Sequence, residues 1–252
     1  MSNKVEKECK ILDSKSEDSK SEDSLYVINP IHINKLDIDI NKLKIMVNEY
    51  MIPRIEYYKS TETKNLEIES GFSEWWIEKT SNSKKISSGN CPFDVLTLNK
   101  NAIDVMCLCI NGNMSNEKSI IQNFTNSGNN LDDYFNNKNF DNAIKIFLNE
   151  YKKKIINFKN EQNVNKLYYL SFISTSKNVY LSSFIININK LKNVISGGTT
   201  KQQKSILIQN FINNKYGNVK LYKSKKRIEL RFTKEILNMF NTIPKLLIFY
   251  HK

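Results

Sequence analysis

Two aspartates occupy positions where a carboxylate is hard to accommodate. Asp94 follows Gly89 and Pro92 and sits in the apolar run of residues 93–96, Phe-Asp-Val-Leu. Ten positions later Asp104 sits in a second run, residues 102–110, Ala-Ile-Asp-Val-Met-Cys-Leu-Cys-Ile. A carboxylate in an apolar strand is unfavourable unless something binds it. Asn99-Lys100-Asn101 has turn composition, so the two runs read as a hairpin with side chains alternating between faces. Asp94 then shares a face with Pro92 and Leu96, and Asp104 with Ala102 and Met106. Facing each other, two carboxylates suit a hard cation that prefers oxygen, such as Mg²⁺. Such an ion polarises a phosphoryl oxygen and acidifies a bound water, the two tasks of phosphodiester hydrolysis. The plainer alternative is that one aspartate caps a turn and the other makes an ion pair. Carboxylates more than about 8 Å apart would leave only that alternative.

The hairpin needs a frame. Residues 1–24 repeat Lys-Ser-Glu-Asp-Ser twice and hold few apolar residues, so they read as a disordered tail. Residues 25–33 look strand-like, and Asn41 to Lys59 reads as a helix interrupted at Pro53, with Leu43, Met46, Val47, Tyr50 and Met51 on one side. A second helix is expected over Thr63 to Lys79, with Leu66, Ile68, Phe72, Trp75 and Trp76 inward. After the hairpin, Ser115 reads as the cap of a helix running through Phe124, and Asp141 to Phe158 as a long amphipathic helix. Strands are expected at Lys166 to Ser174 and Val179 to Asn187. Gly197-Gly198 reads as a loop and Thr200 to Asn213 as a helix. Further strands fall at Val219 to Tyr222, Arg227 to Phe232 and Leu246 to Tyr250. The order predicts an α/β fold with a mixed β-sheet flanked by helices. Residues 25–252 form a single domain in this reading, with a catalytic part over 25–160 and a basic part over 161–252.

Charge supports that division. The net charge is +12, but residues 151–252 carry twenty basic and three acidic groups, a net of +17. Such a field favours a polyanion, the alternative being a merely lysine-rich soluble surface. Two of the three arginines, Arg227 and Arg231, fall in one expected strand beside Lys223, Lys225 and Lys226. Lysines track phosphates, and arginine reads guanine edges. Lys201 and Lys204, after the paired glycines, are a second candidate group. A solvated edge strand guarded by lysines is the rival explanation.

Other chemistries lack material. The two histidines, His32 and His251, lie near opposite ends, so neither a His triad nor a zinc site is supported. Gly197-Gly198-Thr199-Thr200-Lys201 lacks P-loop spacing. Four cysteines without ligand spacing read as reduced thiols, which fits a cytoplasmic protein, and the chain shows no secretory signal and no membrane-length apolar run.

Gly89, Pro92, Phe-Asp-Val at 93–95 and Ile-Asp-Val at 103–105 resemble the core of the PD-(D/E)xK nuclease superfamily, which includes many type II restriction endonucleases. That pattern is Pro-Asp in a strand, a short hairpin, then Asp or Glu, one residue, and Lys. The likeness covers about 35 residues. Phe93 separates Pro92 from Asp94, and Met106 stands where the family has its water-orienting lysine. The resemblance implies Asp94 and Asp104 as metal ligands with Mg²⁺ as cofactor. It also implies a carboxylate from the preceding helix, here Glu74 or Glu78, and a lysine from a neighbouring element, for which Lys118 is the natural replacement. Glu117 and Lys118 would then stand over the metal from the helix after the hairpin; the alternative is a helix first turn with Glu favoured by the dipole and Lys solvated. The implied function is Mg²⁺-dependent cleavage of double-stranded DNA by a type II restriction endonuclease, as a homodimer. The rivals are a structure-selective or repair nuclease and a basic nucleic-acid-binding protein without catalysis.

Overall fold

Residues 101–111 hold eight apolar side chains among eleven, and a strand that apolar is stable only with both faces covered. That is where the chain puts it. A computed structural model describes residues 25–60, 67–86, 91–121, 131–175, 178–200, 202, 204–223 and 227–241. The tail over 1–24, Gly89, Lys201, Lys225, Lys226 and the strand expected at 246–250 lie outside these.

The elements in chain order are β1 (Ile28–Ile31), α1 (Ile40–Ser60), α2 (Ser70–Thr80), β2 (Lys84–Lys85), β3 (Val95–Leu96), β4 (Asn101–Asn111), β5 (Met114–Ser115), β6 (Lys118–Ile121), α3 (Leu131–Asn136), α4 (Phe140–Gln162), β7 (Lys166–Ser174), β8 (Val179–Ile186), β9 (Ile195–Thr199), β10 (Ser205–Gln209), β11 (Gly217–Tyr222) and β12 (Arg227–Phe232). The class is mixed α/β. A seven-stranded mixed sheet runs β1-β8-β7-β4-β3-β2, with β5 also on β4, and a second, antiparallel sheet runs β6-β12-β11-β10-β9. In the first sheet β4 and β7 are parallel, Asp104 standing beside Tyr169, while β3 and β7–β8 pairings are antiparallel. The parallel pair requires a crossover, and α3 with α4 supplies its helical part.

Helices cover both faces of the first sheet. On one, α2 brings Trp76 to 5.5 Å from Phe172 and Ser73 Oγ to 3.0 Å from Cys107 Sγ. On the other, α4 buries Ala143, Ile144, Phe147, Leu148, Tyr151, Ile155 and Phe158 at helical spacing, and the Tyr151 and Tyr169 hydroxyls meet at 2.8 Å. The second sheet joins through Phe184 and Phe232, whose rings stack at 5.3 Å. No helix among the described residues is long and apolar enough to cross a membrane.

Three local expectations need correction. The helix expected from Ser115 is instead β5, a turn and β6. Ser115 Oγ accepts Phe232 N–H at 2.9 Å rather than capping a helix, and β6 pairs with β12, more than a hundred residues away. The helix expected over Thr200 to Asn213 is replaced by β10, which pairs with β9, and Ile206-Leu207-Ile208-Gln209 alternates buried with more exposed positions. Gly198, at φ 87°, lies inside β9, near a register shift in the β9–β10 pairing. Finally, α1 continues through Pro53 to Ser60. Leu43, Val47 and Met51 are fully buried along it, and that packing outweighs the backbone hydrogen bond a proline removes. The division expected at residue 160 does not follow the sheets, since β7 and β8 belong with β4 and β6 belongs with β12.

Candidate active site

Asp94 immediately precedes β3, whose Val95 pairs with Ile103, and so enters the sheet beside Asp104. Its backbone is held on both sides: Asp94 N–H donates to Ile103 O (3.0 Å) and Ile86 N–H donates to Asp94 O (2.8 Å). The Asp94 Oδ2 atom accepts Val105 N–H at 2.8 Å. The two carboxyls are close enough to hydrogen-bond to each other, well within the reach of one ion. Both are half-buried, and Asp104 lies beside Tyr169 in the β4–β7 register, within electrostatic reach of Tyr151. Burial pushes Asp104 well above the usual carboxylate range, and the adjacent Asp94 charge and hydrogen bond push it further. Burial also raises Asp94, against the Val105 N–H and the shared bond, which pull it down. Two crowded carboxylates with raised pKa values form a site with an excess of negative charge.

Cations and a third acid surround the pair. The Lys118 charge acts on both aspartates and on Cys107. Lys118 reaches them from β6, where strand alternation turns it away from Glu117, and not from a helix start. Glu74, on α2, also acts on both aspartates, but its Oε2 lies 2.7 Å from Lys85 Nζ. Glu78, a turn further along α2, lies 3.6 Å from Lys79. Met106 is fully buried, so the position of the family's lysine is a core position here. Cys107 is half-buried and pushed up to about 11, chiefly by burial, so it is an inert thiol at neutral pH.

The sequence reading overlooked two members of this surround. Lys85 is visible only as half of Lys84-Lys85 in a polar loop. Lys154, half-buried on α4, lies within electrostatic reach of Cys91 beside the aspartates; its signal was a polar residue between Tyr151 and Ile155 on the buried side of the helix.

Glu117 joins a different group. Its carboxylate accepts the Tyr222 hydroxyl at 2.6 Å and lies 4.0 Å from Lys220, on the polar face of the second sheet. That face aligns Asn218 with Arg231, Lys220 with Glu229 and Tyr222 with Arg227. Arg227 pairs with the buried Glu229, and Arg231 Nε donates to Ser115 O at 2.6 Å. Burial raises Glu117, yet hydrogen bonding with Glu229 and Tyr222, then the Lys220 and Arg231 charges, hold it below the usual range. Burial and the bond to Glu117 push Tyr222 up. Lys223 reaches Asp132 (3.3 Å) and Asn136 (3.3 Å) on α3, and Lys204 is exposed at the start of β10. The structure therefore separates the expected Glu117–Lys118 pair, sending one to each side of β6.

Among the described residues no group of three or more His, Cys, Asp or Glu side chains is gathered as a metal cage. The donor set nevertheless suits Mg²⁺, which takes hard oxygen ligands, keeps several waters and needs only one or two carboxylates from the protein. Asp94 and Asp104 would supply those two, and a cation there would relieve their crowding. No protein-family model matches the chain, and neither a curated protein nor a solved structure matches it.

Proposed function

We propose that this chain is a Mg²⁺-dependent endonuclease acting on double-stranded DNA, a sequence-specific nuclease of the type II restriction class. The observation that carries the reading is the closeness of the Asp94 and Asp104 carboxyls where β3 meets β4, near enough to hydrogen-bond, with the Lys118 charge acting on both from another sheet. Asp94 and Asp104 would hold the ion, which would supply polarisation of a phosphoryl oxygen and a more acidic water. Lys118 Nζ, with three donor protons, orients the attacking water and offsets charge that builds on the phosphate. It thereby takes the task left open by Met106. Arg227, Arg231 and Lys220 present a basic strand face along which phosphates can be tracked, and Lys204 adds an exposed cation at the start of β10. Cutting both strands at one site calls for a homodimer.

Incubation of the protein with unmethylated phage DNA tests this directly. Discrete bands that form with Mg²⁺ and vanish with EDTA support it; fragments from branched junctions alone would move it to a structure-selective nuclease. A second reading, DNA binding without cleavage, draws on the buried Met106 and on Glu74 being tied to Lys85. It requires a salt-sensitive gel shift and intact DNA at every divalent ion tried.

A further inference from the structure

Chains that carry a net charge of +12 repel one another, yet the layer formed by α1 and α2 is almost neutral. Over residues 40–60 and 67–80 there are five basic and six acidic groups, a net of −1. The same layer holds four of the large apolar side chains that stay exposed. Trp75, expected on the inner side of its helix, is 45% exposed and Phe72 is 39% exposed, both on α2, and Ile45 and Ile52 are exposed on α1. The two helices pack side by side, the Tyr50 and Phe72 rings lying 4.4 Å apart. An apolar patch on a neutral face suits a protein partner and not a polyanion.

The spacing on α2 identifies the partner. Gly71, Trp75 and Lys79 recur every four residues, so they form one ridge of the helix, and all three are exposed. A Cβ at Gly71 would meet nothing within 4 Å, so the ridge carries a dip one turn from its largest bump. Exposed Glu67 stands in the segment leading into α2, at the end opposite Lys79. Turned about a two-fold axis, such a ridge complements itself, each bump meeting the other's dip and each cationic end the other's acidic end. We propose that a second copy of this chain docks here, with Trp75 of each copy seated over Gly71 of the other and Lys79 beside Glu67 of the other. Ser73 Oγ on α2 meets Cys107 Sγ at 3.0 Å. Asp104, three residues before Cys107, points to the opposite face of the sheet, beside Tyr169. The copies therefore stand back to back with both aspartate pairs facing outward. This pairing is separate from one that cuts both strands at a single position, and it makes the particle bivalent for DNA. The bivalency rests on the nuclease reading, whereas the docking does not.

Sedimentation of the full chain without DNA, over roughly 1 to 100 µM, tests the docking, and the parent is expected to dimerise in that range. Trp75→Glu is expected to weaken the dimer at least about thirtyfold, as the loss of a central tryptophan does. Gly71→Gln adds a side chain in open space, so the fold is spared, and it is expected to weaken the dimer about tenfold by filling the tryptophan's seat. Glu67→Lys and Lys79→Glu are each expected to weaken it by up to about fivefold, and together in one chain to return it to within about twofold of the parent. A parent that stays monomeric overturns the proposal. So does a dimer that Gly71→Gln leaves intact, whether or not Trp75→Glu folds. Capture of two labelled duplexes by one particle, by the parent and not by Gly71→Gln, supports bivalency. A dimer that responds as expected while binding no duplex supports the docking and removes the DNA reading alone.

Discussion

The two sheets use the same residue types to opposite effect. On the second, Glu117 and Glu229 are interleaved with Lys220, Arg227, Arg231 and Tyr222, and the pKa of Glu117 is lowered. At the first, Asp94 and Asp104 face one another, Lys118 is the cation acting on both, and both pKa values are raised. On the second sheet three cations face two acids, and hydrogen bonds and charges more than offset the burial of Glu117. At Asp94 and Asp104 the partners do not offset burial, and each carboxylate adds to the crowding of the other. Clustering of acids therefore says little by itself; the direction of the pKa displacement records whether partners outweigh burial.

The largest expected effect breaks the first arrangement. Under the proposed mechanism, Asp104→Ala is expected to reduce Mg²⁺-dependent cleavage of plasmid DNA by at least about 10³-fold, since it removes a ligand of the proposed ion. Retention of parental cleavage by that variant would end the nuclease assignment. Lys118→Met comes next, at roughly 10²- to 10³-fold in turnover, with Ca²⁺ affinity not weakened because Lys118 is a cation and not a ligand. Calorimetry on the same preparation separates those two claims.

The sequence showed the first arrangement better than the second. Asp94 and Asp104 were legible because each interrupts an apolar run, and the ten-residue spacing across Asn99-Lys100-Asn101 fixes their pairing locally. The long helix α4 and the strands β7 and β8 were legible from periodicity. The edge β6 was not: its hydrogen bonds come from β12, over a hundred residues on, and Ser115-Asn116-Glu117-Lys118 taken alone has the composition of a helix start. That single error placed Glu117 with the metal. Short strands such as β2 carry even less signal, so Lys85 went unnoticed. Nothing in its local sequence distinguishes a lysine bound to Glu74 from one in water.

Changes on the second sheet are expected to be smaller and to leave the metal site alone. Arg227→Ala and Arg231→Ala should each weaken DNA binding about tenfold or less and lower the salt slope of log K by roughly one. Gel shifts at several salt concentrations measure this. An unchanged slope would show that this face does not meet phosphates, and would turn the acid–base network into a purely structural one.

The smallest effect is also the one that contrasts the sheets most directly, because the two displaced groups push stability in opposite directions with pH. Glu117 is lowered from the usual 4.5, so its contribution is present above that value and is lost as pH falls through its folded pKa. Asp104 is raised well above 3.8, so folding loses stability as pH rises from 3.8 through the folded pKa, and the metal-free protein at neutral pH carries that burden. Asp104→Asn should therefore stabilise the metal-free protein at neutral pH by on the order of 1 kcal/mol and flatten its pH dependence on the side above 3.8. Glu117→Gln should destabilise slightly and flatten the acid side below 4.5. Saturating Mg²⁺ should favour the ionised pair in the parent and remove the neutral-pH burden, while leaving the acid limb governed by Glu117 in place. Denaturant midpoints across pH, with and without Mg²⁺, read all of this. Equal pH profiles for the two variants would mean that the aspartates and the strand-face network are the same kind of structure after all.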